Sequence, residues 1–443
     1  MIQCHCFCTH DIHRFFMRIA FSRVSNHSFL QLLSILILTC IVVFALYIFS
    51  RTSWYPPFGI WHRTLLYDYG DFAYYYEMVS RFFGGTTLVD IAPRSSYPPL
   101  FFLLAVVLRS IIYFTGGDFF HFIILFQILM GLAFGGTLLI ASAILEILNR
   151  SKAWLWLLFL PSSLYFIFNR FDILVALTLL VSIRFLIRKQ FFWSLVFLAL
   201  SALLKWHTAF LAPLYFFHLV PFVIHPTHQR DIIRGWCAFF GLFFATHFFV
   251  GLIFGWDMIF DPYILQLYRS SEVGSFFAAL FGGRIYSRDP IAFSGVFALP
   301  PFFNELLSFV FGIVRFLPLA FLPLWFVRQS RVQNFHMSTE LFLLWGCLIL
   351  MNFVLWNNVY SNQWILWFLP LLLFVLSRGK ELLLVIVFDI LNYLQFPFFY
   401  ERLLAGDVWS FQALVFVRSA ILLWLVYRMV LQITQKQKYA FVE

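Results

Sequence analysis

The chain has 443 residues, of which 62% are hydrophobic and only 11% are charged. Soluble globular domains carry about a quarter charged residues, so this composition indicates a polytopic membrane protein and excludes an ordinary soluble enzyme. The formal net charge of +10 indicates basic loops on the cytoplasmic side of a membrane. Because no soluble basic domain is present to hold a duplex, we expect no nucleic-acid partner.

The first segment, residues 1–27, is predicted to be a cytoplasmic tail. It contains Cys4-His5-Cys6-Phe7-Cys8, a weak version of the cysteine spacing that zinc sites use. An unstructured tail is the preferred interpretation, and no metal ligands are assigned. The apolar run 28–50 is longer than a typical signal-peptide core, and we expect it to remain as a membrane anchor.

Long apolar runs continue along the chain, each near the roughly 20 residues that cross a bilayer as a helix. The predicted fold is therefore all-α, a polytopic transmembrane bundle of about 11–13 membrane segments. Residues 28–377 form the main predicted module, and residues 378–443 add C-terminal membrane segments and a basic cytoplasmic tail. In chain order the runs are 28–50, 97–115, 119–147, 153–168, 172–187, 190–204, 206–224, 234–255, 304–327, 339–356, 359–377, 381–397 and 410–427.

Two segments, 51–96 and 256–303, are too polar and too long to be simple turns. The positive-inside rule places the basic connections after residue 148 in the cytoplasm and both long loops on the other side. Two full crossings between 97 and 147 would then leave residue 148 on the wrong side. We prefer a non-crossing or re-entrant segment there; three short crossings, or a cytoplasmic loop 51–96, stay open as alternatives.

The first long loop contains Tyr67-Asp68-Tyr69-Gly70-Asp71-Phe72-Ala73-Tyr74-Tyr75-Tyr76. In a helix, Asp68 and Asp71 would share one face, and Tyr75 would follow Asp71 by one turn. Charged residues near lipid are costly, so a carboxylate pair at the edge of the bilayer indicates a functional site. The alternative is a solvated loop beside an interfacial belt of tyrosines.

The predicted orientation brings further polar residues to the same membrane face. Asp172 begins one apolar run, Lys205 and His207 lie at a junction between two others, and the second long loop supplies Arg284 and Arg288. A carboxylate pair can supply a general base, and cations can stabilise a phosphate leaving group. Together these groups match the chemistry of transfer from a phosphate-linked donor to a hydroxyl.

Each of these residues also has a purely structural interpretation. Asp172 could cap its own helix, and Lys205 could extend its ammonium to the membrane interface. Arg284 and Arg288 could be solvated loop charges. The joint pattern therefore carries the functional hypothesis, and no single residue does.

Three charges lie inside apolar runs: Arg315, Asp389 and Arg418. Charges in a membrane are functional candidates by default, and a substrate path through them would suit a transporter or lipid-carrier flippase. We prefer a structural interpretation in which Asp389 pairs with Arg315 or Arg418. The chain shows no internal repeat, which weakens the transporter alternative.

A series of short motifs follows in order between residues 28 and 375. Gly70-Asp71-Phe72-Ala73-Tyr74-Tyr75-Tyr76 is followed by Phe83-Gly84-Gly85 and Ser96-Tyr97-Pro98-Pro99-Leu100. Asn169-Arg170-Phe171-Asp172, Leu203-Leu204-Lys205-Trp206-His207 and Tyr360-Ser361-Asn362-Gln363-Trp364 come later. In this order the motifs resemble those of GT-C membrane glycosyltransferases, especially the users of polyprenol-phosphate mannose.

The resemblance implies a GT-C-like fold and an inverting transfer of a hexose, with mannose the expected sugar. The donor would be a polyprenyl or dolichyl phosphate sugar, and the acceptor a lipid or glycan at the extracytoplasmic face. Asp71 matches the family aspartate by position and would be the general base, with Asp68 as its partner or alternate. The spacing here is Asp-x-x-Asp, a departure from the Asp-x-Asp often found, which leaves the use of a divalent metal open.

The remaining roles rest on the polar residues that the predicted orientation brings to one membrane face. Lys205, with Arg284 or Arg288, would bind the donor phosphate, while Tyr75, Asp172 and His207 would line the substrate site. The resemblance favours the bacterial inner membrane, with the endoplasmic reticulum membrane as the alternative. Besides the transporter, a non-catalytic scaffold subunit is the other function considered, and it would require solvated loop carboxylates.

Overall fold

The computed structural model describes most of the chain from Asp68 onward. In full, it covers Ile37, Ile41 and Leu403 together with residues 68–80, 82–83, 97–268, 271–272, 274–285, 291–293, 295–297, 300–330, 337–376, 379–400 and 406–439. The predicted tail 1–27 lies outside these residues, as does almost all of the predicted first membrane segment.

The described residues are helical apart from short connections and one two-stranded hairpin. The elements are α1 (Tyr69–Ser80), α2 (Pro99–Phe114), α3 (Phe119–Ile147), α4 (Pro161–Asn169), α5 (Asp172–Ile187), α6 (Phe191–Leu204), α7 (Ala212–Val223), α8 (Pro226–Phe254), α9 (Asp257–Tyr268), α10 (Phe276–Phe281), β1 (Gly283–Ile285), β2 (Ile291–Phe293), α11 (Pro301–Val314), α12 (Leu317–Ser330), α13 (Thr339–Trp356), α14 (Ile365–Leu372), α15 (Gly379–Tyr393) and α16 (Val408–Tyr439). Short 3-10 helices cover Lys152–Phe159, Trp206–Leu211 and Asn362–Trp364, and a π-helical turn covers Leu394–Phe399.

Within the described ranges, seven helices are long and apolar enough to cross a membrane, or eight if the bent pair α4–α5 is one span. The prediction of an all-α, polytopic bundle is thereby confirmed. The predicted number of about 11–13 segments stays a prediction, because the first segment lies almost wholly outside the described residues and α2 and α6 are shorter apolar helices. The domain boundaries and the sidedness of the loops stay predictions. The seven are Phe119–Ile147, Trp206–Val223, Pro226–Phe254, Phe302–Ser330, Thr339–Trp356, Gly379–Phe399 and Val408–Lys436.

Helix α13 lies at the centre of the bundle and α8 at its periphery. In their most apolar windows, 83% of the residues are buried in α13 but only 17% in α8. Helix α13 packs against α14 and α16, while α5 packs between α3 and α6, and α6 against α8. Since lipid chains are as apolar as leucine, this packing rests on van der Waals contact and buried hydrogen bonds.

The sharpest change of direction lies between α4 and α5, whose axes bend by 99°. The chain leaves α4 at Arg170 in an extended conformation (φ −140°, ψ 156°), which ends the helical hydrogen-bond ladder. Asn169 stays within the α4 framework, because its Nδ2 donates to the Tyr165 carbonyl at 2.8 Å. The non-crossing or re-entrant segment expected between 97 and 147 stays a prediction: α2 has 16 residues there, and α3 runs unbroken for 29.

The second long loop, 256–303, is partly ordered into secondary structure. It contains α9, α10 and the antiparallel hairpin β1–β2, in which Arg284 pairs with Ala292. Gly295 follows this hairpin where a Cβ would lie 2.2 Å from the Gly282 nitrogen, so only glycine fits there. The first long loop contributes α1, which carries the carboxylate-rich motif.

Asp389 holds the start of α4 from a distant part of the chain. Its carboxylate accepts hydrogen bonds from the Ser162 amide at 2.8 Å, the Ser163 amide at 3.1 Å and the Ser163 hydroxyl at 2.8 Å. The first amides of a helix lack partners within it and favour a negative charge. Asp389 therefore caps the N-terminus of α4 from a different helix, α15.

The expected pairing of Asp389 with Arg315 or Arg418 is wrong. Arg315 donates to Asn357 Oδ1 at 2.7 Å. Arg418 donates to Gln395 and, at 2.7 Å, to the Gly274 carbonyl, and its guanidinium lies 3.4 Å from the centre of the Tyr360 ring. Backbone amides at a helix start satisfy a buried carboxylate without a cation, and a sequence does not show which helix start is near.

We expect Asp389→Ala to destabilise the protein, because it leaves two buried amides of α4 without acceptors. Each unsatisfied buried group costs about 1–3 kcal/mol, so the loss of stability should be about 2–6 kcal/mol. Thermal unfolding of the purified protein in detergent measures the effect. Asp407→Ala is the matched control, since Asp407 accepts from Ser410 at the half-buried start of α16. Equal losses in both variants would contradict the role of Asp389.

Candidate active site

Helix α1 places the carboxylate motif within the bundle. Asp68 directly precedes the helix, and its amide donates to Asn169 Oδ1 at 3.1 Å. Asp71 lies in the first turn of α1, and the Tyr75 hydroxyl donates to Asp71 Oδ2 in a long hydrogen bond of 3.4 Å. The predicted one-turn relation between Asp71 and Tyr75 is thus present.

Arg170 joins the two carboxylates. Its Nη2 lies 2.5 Å from Asp68 Oδ2 and its Nη1 lies 2.7 Å from Asp71 Oδ2, while its Nε donates to Gln363 Oε1. The side chains of Arg170 and Asp68 are 6% and 2% exposed, but that of Asp71 is 32% exposed. Asp71 is therefore the accessible carboxylate of this group.

A second ion pair lies beside the first. Lys205 Nζ donates to Asp172 Oδ1 at 2.6 Å, and the indole of Trp367 donates to the same oxygen at 2.6 Å. The His207 ring stacks on Trp367 with the ring centres 3.6 Å apart and the planes within 4°. Among the described residues, Asp172 Oδ2 and His207 Nδ1 are buried and have no hydrogen-bond partner.

Aromatic rings connect the two ion pairs. Lys205 Nζ lies 4.8 Å from the centre of the Phe171 ring, and Phe171 contacts both Tyr97 and Tyr75. Lys205 is also near enough to Arg170 and Asp71 to interact with them electrostatically. Burial, then the neighbouring Tyr97 and Asp71, raises the pKa of the Tyr75 phenol well above its usual value. Tyr75 therefore stays a neutral hydrogen-bond donor beside Asp71.

The structure brings six of the sequence-predicted residues into this one cluster: Asp68, Asp71, Tyr75, Asp172, Lys205 and His207. The structure does not describe the side chains of the two loop arginines. Arg284 has only its backbone described, within β1, and Arg288 lies outside the described residues. Their predicted contact with a donor phosphate stays a prediction.

The purely structural interpretations of the cluster residues are wrong in three places. Asp68 is 1% exposed and is not a solvated loop charge. Phe171 occupies the N-cap position of α5 and no side chain caps the helix, so Asp172 is not an N-cap. Lys205 is 6% exposed and turned to Asp172, so it does not extend to the membrane surface.

Arg170, Gln363 and Trp367 contribute to the site but were not among the predicted site residues. Arg170 did carry a signal, since it is a charge two residues before Asp172 at the border of an apolar run. Gln363 and Trp367 carried little signal in the sequence, because polar and aromatic residues at a helix start are common. Their role depends on where α14 packs.

Metal binding gets no support from side-chain clusters. Within the described part of the chain, no group of three or more histidine, cysteine, aspartate or glutamate residues is arranged to hold an ion. The use of a divalent metal, left open above, stays open.

Fold and site together define a multi-pass helical membrane protein with a buried, mixed-sign charge cluster at the break between α4 and α5. No protein-family model matches this chain, and no curated protein does either. The likeness to GT-C glycosyltransferases therefore stays an expectation.

We expect Arg170→Gln to destabilise the protein strongly, because it removes the cation that binds the buried Asp68 Oδ2. Removing one partner of a buried ion pair costs about 3–5 kcal/mol. The double variant Asp68→Asn with Arg170→Gln should recover part of this loss, since it also removes the uncompensated charge. Thermal unfolding of the two single variants and the double variant in detergent completes a double-mutant cycle. Additive losses would show that the two side chains do not interact.

Proposed function

We propose that this protein is a membrane glycosyltransferase that moves a hexose from a polyprenyl or dolichyl phosphate carrier to a hydroxyl of a lipid or glycan. The observation that carries the proposal is the cluster around Arg170. Carboxylates and cations from separate sequence segments meet there, and Asp71 is the partly exposed carboxylate that Arg170 holds. Mannose is the sugar we expect, and the bacterial inner membrane is the favoured location.

In the proposed reaction Asp71 is the general base. The acceptor hydroxyl loses its proton to the Asp71 carboxylate as its oxygen bonds to the anomeric carbon of the donor. The bond between that carbon and the phosphate oxygen breaks, and the lipid phosphate leaves with the electron pair. Attack opposite to the leaving group inverts the configuration of the sugar.

Arg170 and Lys205 are the groups that would stabilise the departing phosphate. Preorganised cations in a site of low dielectric are worth far more than in water. Lys205 already has this role in the sequence-based hypothesis, and the geometry adds Arg170. His207 and Asp172 each present a buried polar atom without a partner in the described residues, and these atoms suit the hydroxyls of a sugar.

Among the described residues, the resting cluster holds three carboxylates (Asp68, Asp71 and Asp172) against two cations (Arg170 and Lys205). An incoming donor phosphate would compete with Asp71 for Arg170, since a guanidinium binds phosphate and carboxylate with the same geometry. Asp68, buried and paired, would keep Arg170 in place. Binding of the donor would thus free Asp71 to accept the acceptor proton.

The alternative functions gain less from the same geometry. The transporter hypothesis drew on Arg315 and Asp389, and both side chains have hydrogen-bond partners within the bundle. The scaffold hypothesis required solvated loop carboxylates, and Asp68 is buried. Neither observation favours a path for a substrate or a purely structural loop.

We expect Asp71→Asn to abolish transfer, because an amide cannot take the acceptor proton. General-base catalysis contributes about 10²–10⁴-fold in rate, so activity should fall by about that factor. The assay follows transfer from a radiolabelled polyprenyl phosphate mannose in membranes that contain the overexpressed protein. An unlabelled panel of other polyprenyl phosphate hexoses, used as competitors, tests the choice of sugar.

Asp257→Asn is the matched control, since Asp257 is an exposed aspartate in the first turn of α9. It makes the same change of charge outside the cluster and should leave the rate unchanged. Full activity of Asp71→Asn, with normal amounts of folded protein, would refute the proposed mechanism.

A further inference from the structure

A cavity of about 480 Å³ lies away from the Arg170 cluster, where the turn between α5 and α6 meets the connection between α7 and α8. It is lined by Lys189, Phe222, His225, Thr227 and His228. The cavity therefore combines one cation, two imidazoles and a hydroxyl around an aromatic ring. All of these polar groups can donate hydrogen bonds.

Lys189 and His228 both contact the Phe222 ring, which forms one wall of the cavity. Lys189 Nζ lies 5.8 Å from the centre of the Phe222 ring, and the His228 ring is edge-on to Phe222 and to Phe191, with ring centres 6.1 and 5.3 Å apart. Lys189 is held at the turn after α5 with φ 58°, where its amide donates to the Leu186 carbonyl at 2.9 Å. The cation and the imidazole are thus held over one apolar floor.

Lys189 differs from three other lysines of the bundle in its partners. Lys152, Lys205 and Lys436 each form an ion pair with a carboxylate, whereas Lys189 forms none with any described residue. The surrounding sequence adds Arg184, Arg188, Arg230 and Arg234, and between 184 and 234 the one acidic residue is Asp231. This excess of positive charge favours an anionic ligand in the cavity.

The cavity lies at the start of α8, the least buried of the candidate membrane spans in the described residues. Helix α8 begins at Pro226, beside the cavity, and carries Ile233, Phe240 and Phe244 on one exposed face. Ile224, two residues before the start of the helix, is 81% exposed. The helix that begins beside the cavity therefore carries exposed apolar side chains along its length, which suits acyl chains attached to a bound headgroup.

We propose that this cavity binds the phosphate headgroup of an anionic phospholipid, with the acyl chains lying along α8. Lys189 pairs with the phosphate, Thr227 and His228 donate hydrogen bonds to it, and Phe222 forms the floor. Inorganic phosphate shares the headgroup chemistry but lacks the acyl chains that α8 accommodates. This inference is independent of the proposed transferase reaction.

The test is a titration of purified protein in neutral detergent with phosphatidylglycerol, read by native mass spectrometry. One lipid should bind the unaltered protein saturably, and phosphatidylcholine should bind more weakly. A lysine at a membrane surface contributes about 1 kcal/mol to binding of an anionic lipid, so Lys189→Gln should weaken binding about fivefold. Lys189→Arg should bind like the unaltered protein.

Lys380→Gln is the matched control, because Lys380 is also exposed in a predicted cytoplasmic connection but lies outside the cavity. Equal binding by Lys189→Gln and the unaltered protein, or equal weakening by Lys380→Gln, would overturn the proposal. Displacement of the lipid by millimolar inorganic phosphate would overturn the lipid assignment and point to a free-phosphate site. If Lys189→Gln does not purify as a single species, His228→Gln provides the same comparison.

Discussion

The position of Arg170 between Asp68 and Asp71 is the constraint on which the rest of the site depends. A buried guanidinium needs carboxylate and amide partners, because an unpaired charge inside a bundle costs several kcal/mol (about 3–5 by removal of one partner). Asp68 and Gln363 satisfy that need on the buried side, and Asp71 satisfies it on the accessible side. The start of α1, the break after α4 and the start of α14 are therefore tied to one side chain.

Helix α4 is short, and polar groups from other segments hold both of its ends. At the start of α4, Asp389 accepts hydrogen bonds from the first amides of the helix. At the end of α4, Asn169 and Arg170 contact Asp68. The segment around Asn362 and Gln363 links the two regions, since Asn362 donates to the Asn392 carbonyl at 2.8 Å while Gln363 accepts from Arg170. Such satisfied networks make a broken helix tolerable inside a bundle.

Much of the cluster could be predicted from sequence, and the limits have physical causes. Asp68, Asp71, Asp172 and Lys205 were predictable because each is a charge at the border of an apolar run, where burial is costly without a role. The capping of α4 by Asp389 was not, since it depends on the position of a helix start more than 200 residues away in sequence. The bend at Arg170 was likewise missed, because hydropathy reads both flanking runs as ordinary spans.

The sequence by itself determined that this is a multi-pass, all-α membrane protein and which charges call for partners, because hydropathy and charge are local properties of the chain. Tertiary structure alone decided which charges meet: Arg170 with Asp68 and Asp71, and Lys205 with Asp172 and Trp367. It also decided that Lys189 faces a cavity without a carboxylate partner in the described residues. Which residues pair depends on how the helices pack. The local sequence around a charged residue does not indicate which distant residue will be its partner.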